Sequence, residues 1–103
     1  MELKEIQDKF YDFLKERNWL DFSPNDVLIH LYEELSEIGD HLLFKSKYKD
    51  NEGHKKPKDE DLPREFAQAF SLFLQLCIYL EVDLEDAWNK EIIKMRDRFP
   101  IDK

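Results

Sequence analysis

The residues in this chain best suited to chemistry are acidic and fall into two short patterns, Glu34-x-x-Glu37 and Glu65-x-x-Gln68. Side chains three apart share one helix face, so each pattern can aim two oxygen donors at a point where a divalent cation would sit. Oxygen donors without clustered cysteines or paired histidines suit a hard ion, which makes Mg²⁺ the expected metal and Mn²⁺ its substitute. Gln68 interrupts the pattern. Its amide oxygen can coordinate a cation but brings no charge, so affinity should fall and a second ion would be harder to hold. Asp40, one turn beyond Glu37, is the carboxylate within reach to replace that charge. A di-iron carboxylate centre needs Glu-x-x-His on each of two helices, and neither Glu37 nor Glu65 has a histidine three residues on. His30 and His41 are expected at the surface, and His54 in a loop.

Four helices must position these groups. Leu3, Ile6, Phe10, Phe13 and Leu14 recur at helical spacing and predict a first helix from about Leu3 to Arg17. Ser23-Pro24-Asn25-Asp26 reads as a helix start, with Ser23 as N-cap and Pro24 at the first position, and the second helix should continue to about Phe44. Its buried stripe is expected to be Val27, Leu28, Leu31, Leu35, Ile38 and Leu42, with Glu34 at the border. Glu33, Glu34, Glu37 and Asp40 then crowd one edge of the core, a costly cluster of like charge unless a cation joins it. The plain alternative is a solvated acidic face. From Lys45 to Asp61 the chain is lysine-rich and nearly free of apolar residues, which predicts a solvated, mobile loop. Pro63 opens a third helix to Leu80 that is apolar nearly all round. Glu65 and Gln68 share a face with Ala69, Leu72, Leu76 and Tyr79, so two polar groups point toward an apolar interior and need partners. Asp83 and Asp86 cap a fourth helix, about Leu84 to Arg98.

With 103 residues the chain suits one domain, 1–103, whose core is small enough that self-association would usefully enlarge it. The expected fold class is all-α, a four-helix bundle dimerising through the hydrophobic third helix. A net charge of -8 argues against nonspecific binding to nucleic acid or to anionic membrane. Small anions remain acceptable ligands where a metal neutralises them. The single cysteine, Cys77, lies in an apolar run and is expected to be a buried structural thiol in a reducing compartment. No window approaches the roughly 20 apolar residues of a membrane span, and the N-terminus lacks a signal-like apolar segment. The expected location is therefore cytoplasmic. Trp19 and Phe22, which precede the acidic helix, could stack on a nucleobase, with Tyr32 and Trp88 as weaker candidates. Core packing is the ordinary alternative for each of them.

The run Glu33-Glu34-Leu35-Ser36-Glu37-Ile38, followed by Glu65-Phe66-Ala67-Gln68, Val82-Asp83-Leu84-Glu85-Asp86-Ala87 and Arg98-Phe99-Pro100, resembles the MazG-like all-α nucleoside triphosphate pyrophosphohydrolases. It is most similar to the dCTP pyrophosphatase branch, which also carries an early tryptophan like Trp19 and a proline like Pro24. The resemblance spans about Leu3 to Pro100. It implies a helical protomer that forms a homodimer or homotetramer, with Mg²⁺ held by E-x-x-E and E-x-x-D motifs and metal-activated water attacking the α-phosphorus of a nucleoside triphosphate. The products would be a nucleoside monophosphate and pyrophosphate, a house-cleaning reaction of the nucleotide pool. Glu34 and Glu37 would then be catalytic as well as metal-binding, with Glu65 the third carboxylate and Gln68 in place of the fourth. Arg96 and Arg98 match basic positions that could meet the triphosphate, and Lys94 lies close by. As last-turn cations they would equally stabilise a helix terminus. Glu91 and Met95 stand where the family usually has lysine and asparagine. The second reading is therefore a catalytically impaired homologue that binds a nucleotide or a protein as a helical dimer. A third is a structural helical dimer whose acidic edge meets a basic partner.

Overall fold

The computed structural model describes residues 2–50 and 52–101, and the fold is all-α, with no strand among the described residues. Helix α1 spans Leu3–Glu16, α2 Pro24–Lys45, α3 Leu62–Tyr79 and α4 Leu84–Arg98, and a short 3-10 turn at Asp59–Asp61 leads into α3. The caps fall where side-chain chemistry places them. Ser23 Oγ accepts from the Asn25 amide at 3.2 Å with Pro24 in the first turn, and Asp83 Oδ1 accepts from the Asp86 amide at 3.1 Å. Helices α1 and α3 end alike: Trp19 N–H donates to the Leu14 carbonyl at 2.9 Å, and Val82 N–H to the Cys77 carbonyl at 2.8 Å. Both closures need a left-handed residue between, supplied by Asn18 (φ 60°) and Glu81 (φ 57°).

The core lies between α2 and α3, which run antiparallel, His41 meeting Glu65 at one end and Val27 lying near Gln75 at the other. Val27, Leu31, Ala69 and Leu72 form its centre, with Ile38, Leu76 and Tyr79 against them. The inward face of α2 is thus Val27, Leu31, Glu34, Ile38 and His41, a spacing alternating four and three. The α3 face, Glu65, Ala69, Leu72, Leu76 and Tyr79, repeats it. This corrects the expected α2 stripe. Leu28, Leu35 and Leu42 are 38%, 47% and 61% exposed and form, with Tyr32, a second stripe one residue round the helix. Helix α3 carries a matching outer stripe of Phe66, Phe70, Phe73 and Leu80.

Helix α1 packs on α3 and α4. Its Leu14 is 1% exposed, the most buried side chain in the core. Leu14→Ala should cost about 2–4 kcal/mol, because transfer and cavity penalties add, whereas Ile93→Ala at an exposed site should change stability by less than about 0.5 kcal/mol. Urea midpoints of the two variants check this. Buried Gln7 ties α1 to the α3–α4 turn, donating to the Val82 carbonyl at 2.8 Å and accepting from the Leu84 amide at 3.1 Å. Glu85 accepts from the Lys4 amide at 3.0 Å. Helix α4 bends away from α3 by 101° and buries none of its residues. The radius of gyration is 17.4 Å, against about 13 Å for a compact domain of this length. The segment after α2 folds back on that helix: Lys49 N–H donates to the Leu43 carbonyl at 3.1 Å, and the His54 ring stands edge-on to Phe44. No single helix is long and apolar enough to cross a membrane. Cys77 is buried, and that burial pushes its thiol pKa up, the opposite of an activated nucleophile.

Candidate functional site

A cavity of about 560 Å³ opens where α1, the α1–α2 turn, α2 and α3 meet. Sequence spacing alone could not join the aromatic candidates to the acidic ones, and the fold does. Trp19 and Phe22 line the cavity together with Glu34 and Gln68. Trp19 is held by the closure of α1 and by Phe13, whose ring meets the indole edge-on at a centroid distance of 6.0 Å. Phe10 stacks on Phe13 at 5.5 Å, and the Arg17 guanidinium lies 3.7 Å from the Phe13 ring centre. The result is an aromatic wall. Phe10, Phe13, Leu14, Asp26, Val27, His30, Ser71, Leu72 and Gln75 complete the lining; the sequence patterns read Asp26 only as part of a helix start and His30 only as a surface residue, and did not single out Ser71 or Gln75. Phe10 and Phe13 read there only as the apolar face of α1.

The acidic end is electrostatically loaded. Hydrogen bonding with Glu37, then burial, then repulsion from the Glu37 charge hold the Glu34 carboxyl above the ordinary carboxylate range. His30 works the other way, its Nε2 standing 3.5 Å from Glu34 Oε1. Two turns beyond Glu34 along α2, His41 is buried. This overturns the expectation of an exposed histidine, because position 41 continues the inward four–three spacing and faces the first turn of α3. There His41 Nε2 and Glu65 Oε2 approach to 2.8 Å without the alignment of a hydrogen bond.

Glu34 Oε2, Glu65 Oε2 and His41 Nε2 are all buried without a hydrogen-bond partner. Buried polar atoms left in this state are costly, and hard oxygen donors so placed fit a divalent cation. Glu34, Glu37 and Glu65, with the Gln68 amide, are the groups that could hold one. Among the described residues, however, no three acidic, histidine or cysteine side chains converge on one point. The site is two half-sites, Glu34 with Glu37 and Glu65 with His41, along one α2–α3 seam. Asp40 joins neither pair, since its carboxylate bonds Lys49 Nζ at 3.2 Å. Lys94, Arg96 and Arg98 are exposed on α4 and do not line the cavity, because α4 bends away toward α1. The Arg98 guanidinium rests instead near the Phe99 ring, 5.1 Å from its centre. Tyr32 and Trp88 are likewise exposed and outside the cavity.

In comparison with known proteins, no protein-family model matches the chain, and no curated protein or solved structure matches it. The class that the fold defines is all-α, with four α-helices among the described residues.

Proposed function

We propose that the protein is a metal-dependent nucleoside triphosphate pyrophosphohydrolase of the MazG-like type, cleaving an NTP or dNTP to the monophosphate and pyrophosphate. One observation carries this reading: a single cavity joins Glu34, whose buried Oε2 has no hydrogen-bond partner, to an aromatic wall. That is the polarity of a nucleotide, whose triphosphate needs a cation and whose base needs a flat apolar face. Mg²⁺ or Mn²⁺, when bound, supplies charge neutralisation of the triphosphate and a lowered pKa for the attacking water. The chain's own groups do the rest. Glu34, Glu37 and Glu65 provide the negative charge that retains the cation, with Gln68 as a neutral oxygen donor. Glu37, exposed beside Glu34, is the group this reading assigns to take a proton from water. Trp19 and Phe22 hold the base.

The reading includes a second copy of the chain. The outer stripes of α2 and α3 leave large apolar side chains in water, and the molecule is more extended than a closed bundle of its size. Pairing of two protomers through α3 would cover the Phe66, Phe70 and Phe73 edge and complete a bundle. It would also offer the α4 cations a triphosphate to meet, which they lack within one protomer.

Gln68 and the separation of Glu65 from Glu34 favour a second reading, a homologue that binds nucleotide without turning it over. Pyrophosphate release from a panel of ribo- and deoxyribonucleoside triphosphates, with Mg²⁺ and with Mn²⁺, separates the two. Metal-dependent release is the expected result. Tight nucleotide binding without release would establish the noncatalytic protein.

A further inference from the structure

The most deeply buried polar side chain of the cavity is one that a metal-and-triphosphate role leaves unused. Gln75 is 7% exposed and lines the cavity. It stands two turns along α3 from Gln68, about 10 Å away along the helix axis, which leaves room for a pentose between the acidic end and this residue. Its amide has a fixed direction. The Trp19 carbonyl can only accept, so the Tyr79 hydroxyl must spend its proton there. The Tyr79 oxygen then turns only lone pairs toward Gln75, and the group that meets it at 2.9 Å must be the Gln75 NH₂. Gln75 Oε1 is thereby turned away from Tyr79, and it accepts no hydrogen bond among the described residues.

We propose that Gln75 reads the base: its Oε1 accepts a hydrogen bond from the exocyclic amine of an amino-substituted nucleobase, of cytosine or adenine type, that lies against Trp19. A keto oxygen at the same edge would bring two acceptors together with no proton between them, leaving a buried group unpaired. Tyr79 is the positioning residue, since it holds the amide in one sense and anchors the Trp19 backbone with the same hydroxyl. This selectivity rests on the nucleotide reading of the cavity.

The test is calorimetric titration, in Mg²⁺, of two ligand pairs that differ in amine against keto group: dCTP with dUTP, and dATP with dITP. Wild type should favour the amino member of each pair by about tenfold. Gln75→Met, which keeps the volume and removes the acceptor, should bring the ratio close to one. Tyr79→Phe should do the same by freeing the amide to rotate, and it decides the matter should Gln75→Met fail to fold. A purely structural role for Gln75 would weaken all four ligands equally and leave the ratios intact. Intact ratios in a folded variant, or equal affinities in wild type, would overturn the assignment while leaving nucleotide binding standing. Failure of folded wild type to bind any of the four would remove the nucleotide reading and this inference with it.

Discussion

The Glu34→Gln/Glu37→Gln variant should be inert as an enzyme and, in metal-free buffer at neutral pH, more resistant to heat than the wild type. The activity loss is expected to be ~10³-fold or more, since the change removes both the charge that retains the cation and the acceptor for a proton from water. The gain in stability follows from the raised Glu34 pKa. A carboxyl that folds with a raised pKa favours its protonated form, so its contribution is present at low pH. That contribution is lost as pH rises from the unfolded value through the folded one. At neutral pH the wild type therefore carries at Glu34 a carboxylate that the fold would prefer neutral, beside the charge of Glu37, and glutamine keeps the shape of both without the charge. Melting curves between pH 4 and pH 8 should slope downward with pH more steeply for wild type than for the variant. Mg²⁺ should raise the wild-type melting temperature at pH 8 and leave the variant unmoved. An inactive variant that melts lower than wild type would point to misfolding, and an active one would eliminate the proposed chemistry.

Phe70→Glu/Phe73→Glu should convert the protein to a folded monomer with a much lower melting temperature. Both rings are more than two-fifths exposed in the protomer, at 42% and 44%, yet they belong to a helix whose inner face is already occupied by α2. Burying such a side chain fully contributes about 1.5–3 kcal/mol, and a self-paired stripe counts each one twice. Light scattering should give wild type at least twice the protomer mass of 12.6 kDa and the variant that mass alone. The melting temperature should rise with concentration for wild type only. If the assembly is a tetramer, Tyr32→Glu/Leu35→Glu on the outer stripe of α2 should reduce it to a dimer. A monomeric wild type would sink the self-pairing.

How far the sequence could be read depended on whether a signal was local. Ser23 and Asp83 announce caps through chemistry that reaches only two or three residues, and both helices begin where those residues predict. The boundaries are sound for that reason. The apolar arc of α2 is broader than its buried face because Val27 and Leu28, or Leu31 and Leu35, fit one arc on a wheel, while the structure divides that arc into an inner seam and an outer one. His41 illustrates the cost: the four–three spacing from Val27 through Glu34 leads straight to it, but a polar residue at the end of an acidic face gives no hydropathy signal. Gln75 is hidden differently, as the one amide in the apolar run Leu72 to Leu80. Its meaning depends on Tyr79 and on the Trp19 carbonyl, which no helical repeat connects. Trp19 and Phe22 were legible as aromatics beside a helix start, but their place opposite Glu34 and Gln68 is set by tertiary packing.

The clasp made by Gln7 bears on how the chain acquires its shape during synthesis. Helix α1 is synthesised before α2, α3 and α4, yet it finds its packing partners in α3 and α4. Its amide-mediated ties to Val82, Leu84 and Glu85 span 75 to 81 residues. A helix of 14 residues is marginal in isolation, and closing so long a loop delays the contacts that would reward it. Helix α1 therefore waits for its partners until the α3–α4 turn has emerged, while the hairpin of α2 and α3 can already have begun to form beside it.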